Sequence, residues 1–71
     1  MSDDVYSISE IVGSSQEGVD DAIRKAVRSM SATKRNVEWF TVEEMRGHVV
    51  DGEVAHFQVT LKVGFRLDEP Q

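Results

Sequence analysis

The sequence predicts an α+β fold of order β-α-β-β, a three-stranded antiparallel sheet with one helix, and three observations predict it. Val19, Ala22, Ile23, Ala26, Val27 and Met30 recur at helical spacing. Ala55, Phe57, Val59, Leu61, Val63, Phe65 and Leu67 occupy every second position of a later run, the period of a strand with one core face. Between that run and the apolar segment before it lies Asp51-Gly52, a dipeptide typical of a tight hairpin turn.

The first strand is expected over 5–12, where Tyr6, Ile8 and Val12 alternate with Ser7 and Ser9 and Glu10 interrupts the apolar side. Gly13 is expected to end it. Ser14 or Ser15 then caps a helix over 15–30, with Ser14-Ser15-Gln16-Glu17 matching the capping-box pattern. Asp20 and Asp21 early, and Arg24, Lys25 and Arg28 later, suit the helix dipole. The second strand is expected over 37–50 and the third over 54–67.

A two-residue turn at Asp51-Gly52 sets Val50 against Glu53. It therefore sets Phe40 opposite Val63, Val42 opposite Leu61 and Trp39 opposite Gly64. The same register puts Arg46 beside Phe57 and Glu44 beside Val59, a poor core arrangement. A bulge near Met45 to His48 that resets the faces is therefore expected.

The chain has 71 residues, no cysteine and two histidines, His48 and His56. It forms one domain, 1–71, with tails at 1–4 and 68–71 expected to fray. A domain this small buries only about 60% of its unfolded surface and is marginal alone. Without disulfides, association of copies is the available source of stability. The geometry agrees: fourteen strand residues span ~46 Å, whereas a sixteen-residue helix spans ~24 Å. One helix cannot cover such a hairpin.

The formal net charge of −5 argues against nucleic-acid binding, which rests on Lys and Arg neutralising phosphates. The acidic start, Met1-Ser2-Asp3-Asp4, with no long apolar run after it, argues against a signal peptide and a membrane span. A cytoplasmic location is the expectation.

Trp39, the sole tryptophan, falls on the outward face and offers a large π surface. Stacking on a flat ligand and packing between copies both fit it. Gln58 carries a donor and an acceptor suited to a heterocycle edge, although a solvated strand glutamine reads the same way. It lies about six strand residues, or ~20 Å, from Trp39, so one ligand touches both only if they come from different chains. Arg46 and His48 flank Gly47, and an arginine there can pair with a phosphate or simply face water. His56, Lys62 and Arg66 share a strand face, where they could meet an anion or pair with Glu43 and other acids.

No enzyme constellation emerges. The histidines lack the partners and spacing of a strong metal motif, and 13–18 lacks the glycine pattern of a nucleotide fingerprint. Asp20-Asp21 is a solvated helix pair, and Glu43-Glu44, as neighbouring strand residues, points to opposite faces.

Taken together, Glu10-Ile11-Val12-Gly13-Ser14-Ser15, Asp21-Ala22-Ile23, Val37-Glu38-Trp39-Phe40, Arg46-Gly47-His48, Val54-Ala55-His56-Phe57-Gln58-Val59 and Lys62-Val63-Gly64-Phe65-Arg66-Leu67 resemble bacterial dodecins over nearly the whole chain. The resemblance implies a three-stranded antiparallel sheet wrapped around one helix and a hollow homododecamer. It also implies a non-enzymatic role in flavin storage, with flavins held in pairs between subunits.

Trp39 matches the family tryptophan that stacks on the isoalloxazine, and Gln58 the glutamine that hydrogen-bonds to its edge. Arg46 and His48 resemble the branch that prefers FMN, with riboflavin and FAD as alternatives. Arg46 is then the phosphate contact, with Glu44 and Tyr6 as neighbours. Some members hold coenzyme A, for which Lys34, Arg35 or Arg66 are the candidates. A flavin-dependent oxidoreductase and a purely structural shell are the competing functions.

Overall fold

The computed structural model describes residues 3–68. Most of the tails expected to fray, Met1, Ser2 and 69–71, lies outside the described residues. Asp68 lies within them, bound by Asn36 Nδ2 at 3.0 Å and by Arg35 at 3.1 Å. The elements run β1 (Tyr6–Ser15), α1 (Val19–Thr33), β2 (Val37–Val50) and β3 (Glu53–Arg66). They form one antiparallel sheet in the order β1-β3-β2, with the helix on one face.

β1 continues through Gly13, where the sequence led us to expect a break. Ile11 opposes Leu61 and Gly13 opposes Val59, both on the face beneath the helix. Glycine is required there by proximity: a Cβ on Gly13 would run into the carbonyl oxygen of Ala22 and come within 2.9 Å of the Ala26 methyl group. The faces of β1 are also reversed from expectation. Tyr6, Ile8 and Val12 point away from the helix and are exposed, while the smaller side accepts the helix closely.

The helix starts at Val19 and runs to Thr33, later at both ends than the spacing indicated. The expected capping box does not form, and Gly18 occupies the N-cap with no side-chain cap bond. Ser15 acts one turn earlier. Its hydroxyl oxygen accepts from the backbone N–H of Glu17 at 2.9 Å and of Gly18 at 3.3 Å, and its proton goes to Asp21 Oδ2 at 2.6 Å. Lys25 completes the clamp at 3.1 Å from the same oxygen.

Asp20 and Asp21 suit the positive helix end. Because the helix extends to Thr33, however, the basic residues fall short of its last turn. Lys34 closes the helix by donating its backbone N–H to the Met30 carbonyl. Asn36, at φ 63°, then reverses the chain, and its side-chain amide donates to the Arg66 carbonyl. Asparagine tolerates this left-handed conformation better than most residues.

Ala22, Ala26 and Met30 pack on Val59, Leu61 and Val63, with Ile11, Val19, Ile23, Val27 and Val37 around them. The expected hairpin forms. Asp51 and Gly52 both have positive φ, 52° and 76°, as a primed turn requires. Phe40 opposes Val63, Val42 opposes Leu61 and Trp39 opposes Gly64.

The irregularity expected near Met45 to His48 is found as two register shifts that flank that stretch, and a third lies at the start of β2. β2 carries extra residues at Glu38 and Glu43, and β3 carries one at Ala55. Between Ala55 and Glu43 the register is offset by one, so Arg46 faces Gln58 and Glu44 faces Thr60. Both charged residues thereby leave the core side.

The helix serves β1 and β3 and leaves β2 largely bare. Phe40, Val42, Met45, Val49 and Val54 are exposed, and an open depression of about 290 Å³ separates Phe40 from Asp20, Ile23 and Arg24. The accessible surface is 5198 Å² for 8.0 kDa, against ~4,500 Å² for a compact monomer of that mass. The excess is the uncovered hairpin.

Two outcomes test this packing. Gly13→Ala forces the helix off β1 and is expected to cost about 1–3 kcal/mol, the usual range for overpacking, read as a lower denaturation midpoint; an unchanged midpoint would show that the gap is slack. Asp21 is held below the ordinary carboxylate range, first by the Ser15 hydroxyl and then by Lys25. Its folded value lies below its unfolded one, so ionised Asp21 stabilises above the unfolded value, and that contribution is lost as pH falls through the folded value. Melting curves of the wild type and Asp21→Asn should therefore converge on acidification; a constant gap down to the lowest pH would contradict this.

Candidate functional site

Directly opposed residues of an antiparallel pair share a face. On the face away from the helix, one row reads Ile8, Gly64, Trp39 across β1, β3 and β2. Towards the hairpin follow Glu10, Lys62, Thr41; then Val12, Thr60, Glu44; then Ser14, Gln58, Arg46. Beyond the end of β1 lie His56 and His48. All six residues singled out from the sequence, Tyr6, Trp39, Glu44, Arg46, His48 and Gln58, therefore stand on this outer face. They fall into two groups, Tyr6 and Trp39 at one end and the other four nearer the hairpin.

Gly64 sets the position of Trp39. A Cβ there would overlap the indole, so the ring lies down on bare backbone. Tyr6 meets it edge-on, centroids 5.0 Å apart at 62°, the arrangement that aromatic quadrupoles favour. Trp39 remains 39% exposed, so one side of the indole is open for a further planar group.

Glu38 at its bulge lies 3.8 Å from Arg66 on this side of the sheet. Partial loss of solvent, and then the negative charge of Glu38, raise the Tyr6 phenol above its ordinary value. The sequence reading passed over Glu38. Only the extra residue at that bulge turns it to the Tyr6 side, and no periodicity shows a bulge in advance.

At the other end, Gln58 lies between Ser14 and Arg46. Among the described residues no carboxylate pairs with Arg46, whereas Lys62 is near Glu43 at 3.9 Å, Arg66 near Glu38, and Arg35 near Asp68. The uncommitted guanidinium is thus the cation on this row free to take an anion. His48 and His56 stack, centroids 5.2 Å apart at 16°.

The three coenzyme A candidates gather elsewhere, at the open end of the sheet. Lys34 lies 5.4 Å over the Phe65 ring, while Arg35 and Arg66 carry their ion pairs.

A flavin needs an open π face, a donor-acceptor edge partner and, for FMN, a cation. Trp39, Gln58 and Arg46 are those chemical types on one face, so the residues fit the group. On one chain, however, Trp39 and Gln58 are six β3 positions apart, or ~20 Å. A single isoalloxazine reaches both only across two chains.

The arrangement defines a class: a small α+β protein whose helix backs one sheet face and whose other face presents aromatic and polar groups outward. The sequence model of the dodecin family matches residues 5–68, and the chain belongs to that family. It is 45% identical over 65 residues to the dodecin of Thermus thermophilus, covering 92% of this chain and 94% of that one.

The solved dodecin of Streptomyces davaonensis is 54% identical, with a TM-score of 0.91 over 96% of this chain and all of the other. The dodecin of Streptomyces coelicolor is 51% identical, with a TM-score of 0.92 over 99% and 100%. No helix among the described residues is long and apolar enough to cross a membrane.

The seat of the indole is directly testable, since Trp39 is the only tryptophan. Gly64→Ala is expected to dislodge the ring, shifting its emission to the red and raising its quenching by acrylamide. Emission identical to the wild type would show that the ring does not depend on the bare backbone.

Proposed function

We propose that this protein binds and stores flavin, with FMN as the preferred form, in a homododecamer whose subunit contacts form the binding sites. The carrying observation is Trp39 laid flat over Gly64, with its outer side open. Membership of the dodecin family and the uncovered apolar hairpin support the same reading.

In this reading Trp39 stacks on the isoalloxazine and Gln58 of a neighbouring copy donates to and accepts from its polar edge. Arg46 pairs with the phosphate through charge-assisted bonds. His48 and Glu44 border that phosphate region, and Tyr6 braces the indole from its edge. Burial between copies covers the exposed apolar residues, which is where a 71-residue chain gains its missing stability.

Bound flavin supplies a chromophore whose excited state accepts an electron. Trp39, stacked on it, would be the donor from which that electron comes and to which it returns, so nothing would be consumed and no product formed. The residues on this face include no general acid-base pair aimed at a reacting atom, and the role is sequestration rather than turnover.

FMN titrated into the full chain is expected to lose most of its fluorescence while the protein elutes at the size of a large oligomer. Aromatic stacking on a ring system contributes about 1–3 kcal/mol, so Trp39→Ala should bind FMN roughly 5- to 150-fold more weakly and quench it little. Flavin emission indifferent to added wild-type protein would refute the proposal.

A further inference from the structure

The outer face ends, past Gln58 and Arg46, in two imidazoles that the flavin reading uses only in part. His48 and His56 are directly opposed on β2 and β3, next to the Ala55 bulge. Their rings lie nearly parallel with centroids 5.2 Å apart. Among the described residues neither ring makes a hydrogen bond or an ion pair, so their nitrogens are uncommitted.

Opposed positions on antiparallel strands hold their Cβ atoms ~4.5–5.5 Å apart. A metal ion bound to two imidazoles at ~2.0–2.1 Å needs their nitrogens only ~3 Å apart. Side-chain rotation at exposed His48 and half-buried His56 closes that gap without moving the backbone. The strands supply the rest, since a hairpin locked at Asp51-Gly52 prepays the ordering of both ligands.

The geometry points to a transition-metal site in which His48 and His56 of one hairpin chelate a single divalent ion, with water completing its coordination. The donor set selects the ion. Calcium and magnesium require clustered oxygens, and no group of three or more His, Cys, Asp or Glu gathers among the described residues. Two neutral imidazoles suit copper, nickel and zinc, with copper strongest. Arg46, two positions along β2 on the same face, opposes a cation, and Glu44 beyond it and the net charge of −5 favour one.

The test uses the full-length, flavin-free protein and CuCl₂, with zinc as a second probe. Calorimetry is expected to show one copper ion per chain. Copper should selectively broaden the ring-proton resonances of His48 and His56, and EDTA should restore them. Losing even an outer-shell partner costs 10–100-fold in metal affinity, so His48→Gln and His56→Gln should each weaken binding at least tenfold.

The double variant should lose less than the product of the two single losses, because the first substitution already destroys the chelate. Wild-type affinity in both single variants, or single losses that multiply fully in the double variant, would overturn a shared site. Ring resonances untouched by copper would overturn it as well, whatever the fate of FMN binding.

Discussion

The structure depends on a mismatch of length. Two fourteen-residue strands are paired along their whole extent, and the only element available to cover them is a fifteen-residue helix with less than half their rise per residue. The helix settles where contact is closest, on β1 and β3, through Ala22 and Ala26 against Gly13 and Val59. Everything on β2 follows from what is left over. Phe40, Val42 and Met45 keep their helix-side surfaces bare, and the molecule is 57 Å long by 20 Å across.

That same economy explains what could be read in advance. The helix stripe, the Asp51-Gly52 turn and the pairing of Trp39 with Gly64 are local or nearly local consequences of composition, and each appears in the structure. The faces of β1 were not legible, because both sides of that strand bear apolar groups. Size, rather than hydropathy, decides which side the helix takes. Ile11 and Gly13 fit the thin gap under two alanines, and Tyr6, Ile8 and Val12 are left outside.

The candidate site shows the same division. That Trp39 and Gln58 share a face was visible from the alternation of β3 and its pairing at Gly64, whereas Tyr6 was expected on the core side and Arg46 and Glu44 fell there in the simple register. The finer placement of the site was not legible. The conflict at Arg46 and Glu44 signalled a bulge, but hydropathy does not locate one: an extra residue shifts the parity of every position beyond it, and the same pattern fits several placements. Glu38 was hidden for that reason, and so was the direct opposition of His48 and His56.

The bulges also bear on how the open edge of the sheet is guarded. β2 is an edge strand fourteen residues long, and a straight row of free N–H and C=O groups invites any passing strand to add on and begin a fibre. Two of its residues, Glu38 and Glu43, kink that row and place carboxylates along it. Arg66 and Lys62 of the neighbouring strand stand close enough to temper their charge. A foreign strand would have to straighten the kinks and strip those acids of water before it could zip on. Copies can meet side by side through their faces, while ladder growth along the ribbon's margin is discouraged.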